Sequence, residues 1–212
     1  IVISILAIRD HRKAINARRT LLDSCRGLLE EETWNFGEDG FPTLAGKHRN
    51  CATTIKLISD TMVIRRLPQL WLSITVRQGR RGCPALSILT RYSGNEFYAP
   101  TMDLPQWIEA PEGLPKEIIV RGSGPRSQQL CLHLAPQLAE ILTDTRVKEI
   151  TIGQRGVRIV RQASEGRRGE YLLLRQAVFD DAVVPRQDAQ QTLLQIDAIH
   201  RALAMFDQDL VA

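Results

Sequence analysis

Residues 69–77 constrain the fold more tightly than any other stretch. Leu70, Leu72, Ile74 and Val76 share one parity, while Trp71, Ser73, Thr75 and Arg77 share the other. Side chains alternate between faces in an extended chain, so this pattern describes a half-buried antiparallel strand. The segment Gln78-Gly79-Arg80-Arg81-Gly82 supplies a turn, and residues 84–91 return as the next strand.

Further β-favouring runs follow. Thr53, Thr54, Ile55, Leu57 and Ile58 mark a strand over 52–58, and Glu117–Arg121 reads as a short one. Residues 148–152 and 157–162 form a hairpin around Gly153-Gln154-Arg155-Gly156. A third strand over Glu170–Arg175, after Glu165-Gly166-Arg167-Arg168-Gly169, completes a meander. Leu130, Leu132 and Leu134 alternate with Cys131 and His133, which fits either a strand or a helical start interrupted at Pro136.

Helical patterns sit at the ends and once between. Ala7-Ile8, Ala14-Ile15, Leu21-Leu22 and Leu28-Leu29 recur every seven residues and predict one long helix over 1–32. Ser4, His11, Arg18 and Cys25 fall between those pairs and suit packing on a sheet or one partner helix better than a zipper. Pro136 suits the first turn of a helix over 135–144. Ala189, Leu193, Ile196, His200 and Leu203 share a face of a final helix over 187–206.

Strands joined by short turns, with helices at the ends, give an α+β class with mainly antiparallel sheet. The expected architecture is a long N-terminal helix, one internal helix and a C-terminal helix. The expected division is an N-terminal helix over 1–34, a sheet-rich domain over 35–186 and a C-terminal helix over 187–212 packed on it. The turn-rich stretch Asn35–Pro42 marks the first boundary, with the strands after it. Residues 92–115 form a long connection punctuated by Pro100, Pro105, Pro111 and Pro115 and pinned by Trp107 and Ile108. That length suits a packed loop or a lid.

The first eight residues, Ile1–Ile8, are apolar apart from Ser4 and run straight into Arg9, Arg12, Lys13, Arg18 and Arg19. This order describes the end of a membrane span leaving the bilayer on its positive, cytoplasmic side. A signal peptide has the reverse order, with its cations first. The competing reading is a soluble helix with its apolar start docked in the core. The expected location is the cytoplasmic face of a membrane, a bacterial inner membrane, with the cytoplasm as the alternative.

Arginine outnumbers lysine 23 to 5, within a formal charge of +4. Guanidinium groups bind phosphate in a bidentate fork. Arg80-Arg81, Arg155 and Arg167-Arg168 all fall at turns, and turns at one end of a meander could gather into a basic rim. Single-strand binders interleave such charge with aromatic rings, and only Tyr171 and Trp71 lie near these turns in sequence, Trp71 equally suited to the core. Lipid headgroups or an acidic protein therefore suit them better than RNA. The residues expected to contact an anionic surface are Arg9, Arg12, Lys13, Arg18, Arg19, Arg80, Arg81, Arg155, Arg167 and Arg168.

Catalytic signatures fail on inspection. Gly122-Ser123-Gly124-Pro125 could cradle an anion, but lacks the third glycine of a dinucleotide fingerprint and the frame of a nucleophile elbow. An ordinary turn is the preferred reading. His48 with Cys51 and Cys131 with His133 could supply four zinc-type ligands, at spacings unlike those of zinc knuckles. The four cysteines are scattered and read as free buried thiols. Glu38-Asp39 and Asp180-Asp181 read as solvated turns, and His200 as a core or edge histidine. The expectation is no catalytic residue, no metal and no cofactor.

The sequence thus points to a non-enzymatic, membrane-tethered cytoplasmic binding or scaffold domain for a partner protein or membrane complex. Helices 1–32 and 187–206 are its expected docking surfaces, alongside contact with the anionic membrane. The alternatives are a soluble nucleic-acid-binding protein using the turn arginines, and an enzyme with a pocket under the 92–115 loop.

Overall fold

The computed structural model describes residues 15–61, 67–94, 96–166, 179 and 183–209. The apolar octet, Arg9, Arg12, Lys13, Arg167, Arg168 and the strand expected over 170–175 lie outside the described residues. Among the described residues, no helix is long and apolar enough to cross a membrane.

Among the described residues there are few helices and nine strands. They are β1 (Glu30–Phe36), β2 (Pro42–His48), β3 (Cys51–Asp60), β4 (Gln69–Arg77), β5 (Leu86–Thr90), β6 (Gln106–Trp107), β7 (Ile118–Gly122), β8 (Val147–Gly153) and β9 (Gly156–Glu165). Beyond the helical residues 15–19, the helices among the described residues are α1 (Pro125–His133), α2 (Ala135–Leu142) and α3 (Arg186–Asp209). The strand order in the sheet is β1-β2-β3-β4-β9-β8-β5-β7-β6. The α+β class with antiparallel pairing is as expected from the sequence. The chain divides into two compact units, one of residues 1–73 and 162–189, the other of 74–161 and 190–212.

In the first unit the helix expected over 1–32 does not continue past residue 19. Helix covers 15–19, a 3-10 turn spans Asp23–Cys25, and β1 already begins at Glu30. The sevenfold apolar spacing is met by other means. Leu21, Leu22, Cys25 and Leu29 are all buried, but from a turn. Carbonyls that would continue a helix are taken elsewhere: Arg186 donates to those of Ser24, Arg26 and Gly27 at 3.2, 2.6 and 3.3 Å. The Ser24 hydroxyl donates to the Val184 carbonyl, and Val184 N–H donates to that of Leu21 at 2.9 Å. Gly27 sits at φ 72, a left-handed conformation that ends helices and that glycine adopts most easily. The Asn35–Pro42 stretch, expected to precede the strands, is instead the turn of the β1–β2 hairpin, with Phe36 opposite Pro42.

In β4 the alternation identifies the strand but not its surroundings. Trp71 and Ser73, assigned to the wetter face, are 5% and 0% exposed, so both faces of its first half are covered. Residues 84–91 do contain a strand, β5, but it does not pair with β4. Strands β9 and β8 lie between them. The turn chemistry of Gln78–Gly82 is real; a hairpin is only the commonest of several uses for it.

The second unit has two sheet faces of opposite character, fixed by register. Ser87 pairs with Thr151 and with Arg121; Leu89 pairs with Glu149 and with Ile119; Thr151 pairs with Arg158. That face is therefore largely polar. The intervening residues Leu86, Ile88, Val120, Ile150, Ile152, Val157 and Ile159 form an apolar face, and all are buried. The unit's helices contribute Leu130, Leu134, Leu138, Ile141, Ile196, Ile199 and Leu203 to the buried core. At about 25 cal/mol per Å² of apolar area removed from water, this stacking is the main source of the unit's stability. Residues 130–133 are helix, not strand, and the sequence expected one internal helix where two occur. Leu134 separates them, with Pro136 accommodated in the first turn of α2.

Candidate functional site

The long connection between β5 and β7 crosses the polar face of the second unit. It contains a 3-10 turn at Pro100–Asp103 and the short strand β6, which pairs Gln106 with Gly122 and Trp107 with Arg121. It is a packed loop, held by side chains that rise from the sheet. The Ser87 and Thr101 hydroxyls are 2.7 Å apart in a buried hydrogen bond. Arg121 Nε donates to the Leu104 carbonyl at 2.8 Å, and Arg158 Nη2 to that of Tyr98 at 2.9 Å. Ile108 is buried beneath it, as expected of a pin; Trp107 is not, at 62% exposed.

Beneath the loop, Lys148 donates to the carbonyls of Thr90 and Arg91 at 2.9 and 2.6 Å and to Glu96 Oε1 at 2.7 Å. An ammonium has three donors, so none is left over. Glu96 also accepts from Ser93 N and Oγ at 2.8 and 2.6 Å and from Gly94 N at 3.0 Å. Burial alone would raise the Glu96 pKa, but Lys148 and Ser93 outweigh it and hold the carboxyl below its ordinary value. Glu149, fully buried, accepts from Arg158 at 2.6 Å and from Thr151 at 2.8 Å. There desolvation wins over Arg158, and the pKa is raised. The convergent polar groups under the loop are fasteners for it.

The loop's outer surface has the opposite character. Tyr92, Phe97, Met102 and Trp107 are 47%, 62%, 49% and 62% exposed. Phe97 packs edge-on against Tyr98, and the Arg121 guanidinium lies 4.7 Å from the centre of the Trp107 ring.

A second feature is the end of this unit where β4 and β7 finish and β5 and β9 begin. Arg80 N–H donates to the Gln154 carbonyl at 2.9 Å, joining the 78–82 turn to the β8–β9 turn. Gly156, at φ 134, lets these turns meet; a methyl group there would collide with the Val76 carbonyl oxygen. Arg126 Nη1 reaches the Gly82 carbonyl at 3.4 Å. Arg77, Arg81, Arg126 and Arg155 are all exposed at this end. Residues 77–86, 121–129 and 153–156 contain no acid. The expected gathering of turn arginines thus includes Arg80, Arg81 and Arg155, and it adds Arg77 and Arg126, which no turn signal had marked. Arg80 is the inward member: its guanidinium binds Asp207 at 2.8 Å and the His200 carbonyl at 3.1 Å. His200 is buried beside it, and burial followed by the Arg80 charge holds its pKa below the ordinary imidazole value.

Gly122-Ser123-Gly124-Pro125 belongs to the same end and is a packed turn. Ser123 N–H donates to the Ala85 carbonyl at 3.0 Å and to Ser127 Oγ at 3.1 Å, and Ser123 Oγ accepts from Ala85 N at 3.0 Å. Gly122 is required because a Cβ there would collide with Ser127.

In the first unit, Arg18 and Arg19 stack on aromatic rings, 5.1 Å from the Phe41 centre and 5.4 Å from that of Phe36. Arg26 lies 4.4 Å over Trp34 while pairing with Asp23 at 2.9 Å. His48 faces Cys51 across the β2–β3 turn, and in the other unit Cys131 is sealed inside α1 while His133 contacts the Ala202 carbonyl at 2.9 Å. Among the described residues, no group of three or more ligand side chains is placed to hold a metal.

Comparison with known protein families finds no family that matches this chain, and comparison with curated proteins finds no match.

Proposed function

We propose that this protein is a non-enzymatic binding module held at the cytoplasmic face of a membrane, with the arginine-lined end of its second unit set against anionic phosphates of the lipid surface. The observation that carries this reading is the convergence of Arg81 and Arg155, on turns, with Arg126, in the first turn of α1, in stretches that contain no acid. Those stretches also contain no aromatic ring, so they offer phosphate contacts without a means of reading bases. The apolar octet and its following cations supply the tether in this reading, and Arg18 and Arg19 the first headgroup contacts.

The test is co-flotation of residues 15–212 with vesicles of phosphatidylglycerol and phosphatidylcholine, against phosphatidylcholine alone. The tether is tested separately, by fractionating the full-length protein; release by high salt alone contradicts a span.

A second reading is favoured by one residue. Trp107 is exposed beside Arg121, and β6 pairs with Gly122 at the basic end, which gives one platform for a stacked base. Nucleic-acid binding predicts a salt-dependent gel shift that Trp107→Ala weakens.

A further inference from the structure

We infer that the outer surface of the 92–107 loop is a docking site for a partner protein, and that it takes a segment combining apolar side chains with lysine or arginine. This goes beyond the membrane reading and is independent of it, since the two surfaces share no residue.

Four large apolar side chains, Tyr92, Phe97, Met102 and Trp107, are about half exposed or more within one 16-residue stretch. Scattered exposed apolar residues are ordinary, but aromatic and methionine side chains gathered on one rigid segment have the composition of interface centres. The rigidity is built in. Carbonyls of residues 90, 91, 98 and 104 are all held by Lys148, Arg158 or Arg121. Glu96 is fixed beside Phe97 by its four donors. A loop already fixed in one shape loses little entropy on binding, which is how such surfaces reach useful affinity.

Charge selects the occupant. Exposed acids flank the apolar residues: Asp103 follows Met102, Glu109 lies two residues beyond Trp107, and Glu117 precedes Ile118, which pairs with Thr90 next to the Tyr92 end. The Glu109 backbone is itself fixed, its N–H and carbonyl both bonded to the Gln128 side chain at 3.0 and 3.1 Å. Among residues 91–117 the exposed cations are fewer, Arg91 and Lys116 against Asp103, Glu109, Glu112 and Glu117. Arg91 donates to the Arg146 carbonyl at 3.3 Å, Arg121 is engaged with Leu104, and Lys116 is exposed. Exposed acids close in the chain to exposed aromatic residues complement a basic, apolar segment and repel acidic ones.

The experiment uses two synthetic 14-residue amphipathic peptides, one alternating Leu with Lys and one alternating Leu with Glu, titrated against 15N-labelled protein. The inference predicts saturable binding of the Lys peptide, shifts centred on residues 92–109, and affinity reduced at least tenfold in Phe97→Ala/Trp107→Ala. Both substitutions are at exposed positions, and an unchanged melting curve serves as the folding control. Arg81→Glu/Arg126→Glu should leave the affinity of the Lys peptide within about twofold, which separates this surface from the membrane reading. Equal binding of both peptides, no binding of either, or affinity indifferent to Phe97→Ala/Trp107→Ala overturns it. So does a protein that sediments as a dimer dissociated by those two substitutions, because a second copy would then be the occupant.

Discussion

Lys148 Nζ lies 2.7 Å from Glu96 Oε1, and each side chain is 4% exposed. The pair joins β8 to the loop that carries the exposed aromatic residues. Breaking a buried pair by removing one partner costs about 3–5 kcal/mol, because the remaining charge is left without compensation. Lys148→Met should therefore destabilise the protein by about that amount in urea unfolding at neutral pH. Lys148→Met/Glu96→Gln should recover a large part of the loss. A double variant no more stable than Lys148→Met would show that the pair does not act as a unit.

Two acids, the buried Glu149 and the half-buried Asp144, should give opposite pH signatures. The Glu149 pKa is raised by burial, so the folded state holds that proton more tightly than the unfolded chain does. Its contribution favours folding at low pH and is lost as pH rises through the folded value. Burial alone would also raise Asp144, but Arg146, through backbone and side-chain hydrogen bonds, and then Arg161 bring it below its ordinary value. Its contribution is present above the unfolded value and is lost as pH falls through the folded one. Going from pH 7 toward about 4, the stability of wild type relative to Glu149→Gln should increase; relative to Asp144→Asn it should hold over that range and decrease below about pH 4, where unfolded aspartate takes up its proton. Unfolding curves at several pH values measure both slopes.

Thiol reactivity should separate the cysteines. Cys25, Cys83 and Cys131 are buried, and burial is the first cause that raises each pKa, with Cys131 pushed up to about 11. Cys51 is partly exposed on β3. A thiolate-selective reagent at neutral pH should label Cys51 first and the other three only after unfolding. Rapid labelling of Cys131 in the folded protein would contradict the packing of α1.

Gly156 holds the basic end together. With φ 134 and the Val76 carbonyl in the space a Cβ would need, Gly156→Ala combines backbone strain with a collision. The loss should be at least about 2 kcal/mol in unfolding experiments, more than for an exposed surface change. Gly124→Ala has open space around it and serves as the control.

Much of this architecture was legible because short-range chemistry decides it. The β8–β9 hairpin, the final helix and the strand at 69–77 follow from turn residues and periodicity. Strand pairing was not legible: the Gln78–Gly82 turn fits a hairpin equally well whether β5 lies next to β4 or three positions away. The N-terminal helix stops short for a related reason. Leucines at helical spacing can also be buried by a turn, and what opposes the helix is Arg186, some 160 positions away in the chain. At the candidate site, Arg80, Arg81 and Arg155 were recognisable as turn cations. Arg77 and Arg126 were not, because they join the cluster through the meeting of three strand ends. The polar face under the loop was invisible too, since Ser87, Glu149 and Arg158 look like solvated alternation until the loop covers them.

Co-flotation with anionic vesicles tests the central claim most directly. Each arginine near an anionic headgroup surface contributes about 1 kcal/mol, so Arg81→Glu/Arg126→Glu/Arg155→Glu should lower vesicle affinity by about a hundredfold or more while leaving the melting temperature unchanged. Wild type should bind phosphatidylglycerol vesicles, release at high salt and ignore phosphatidylcholine. Binding that survives the triple substitution, or is equal on neutral vesicles, would contradict the account.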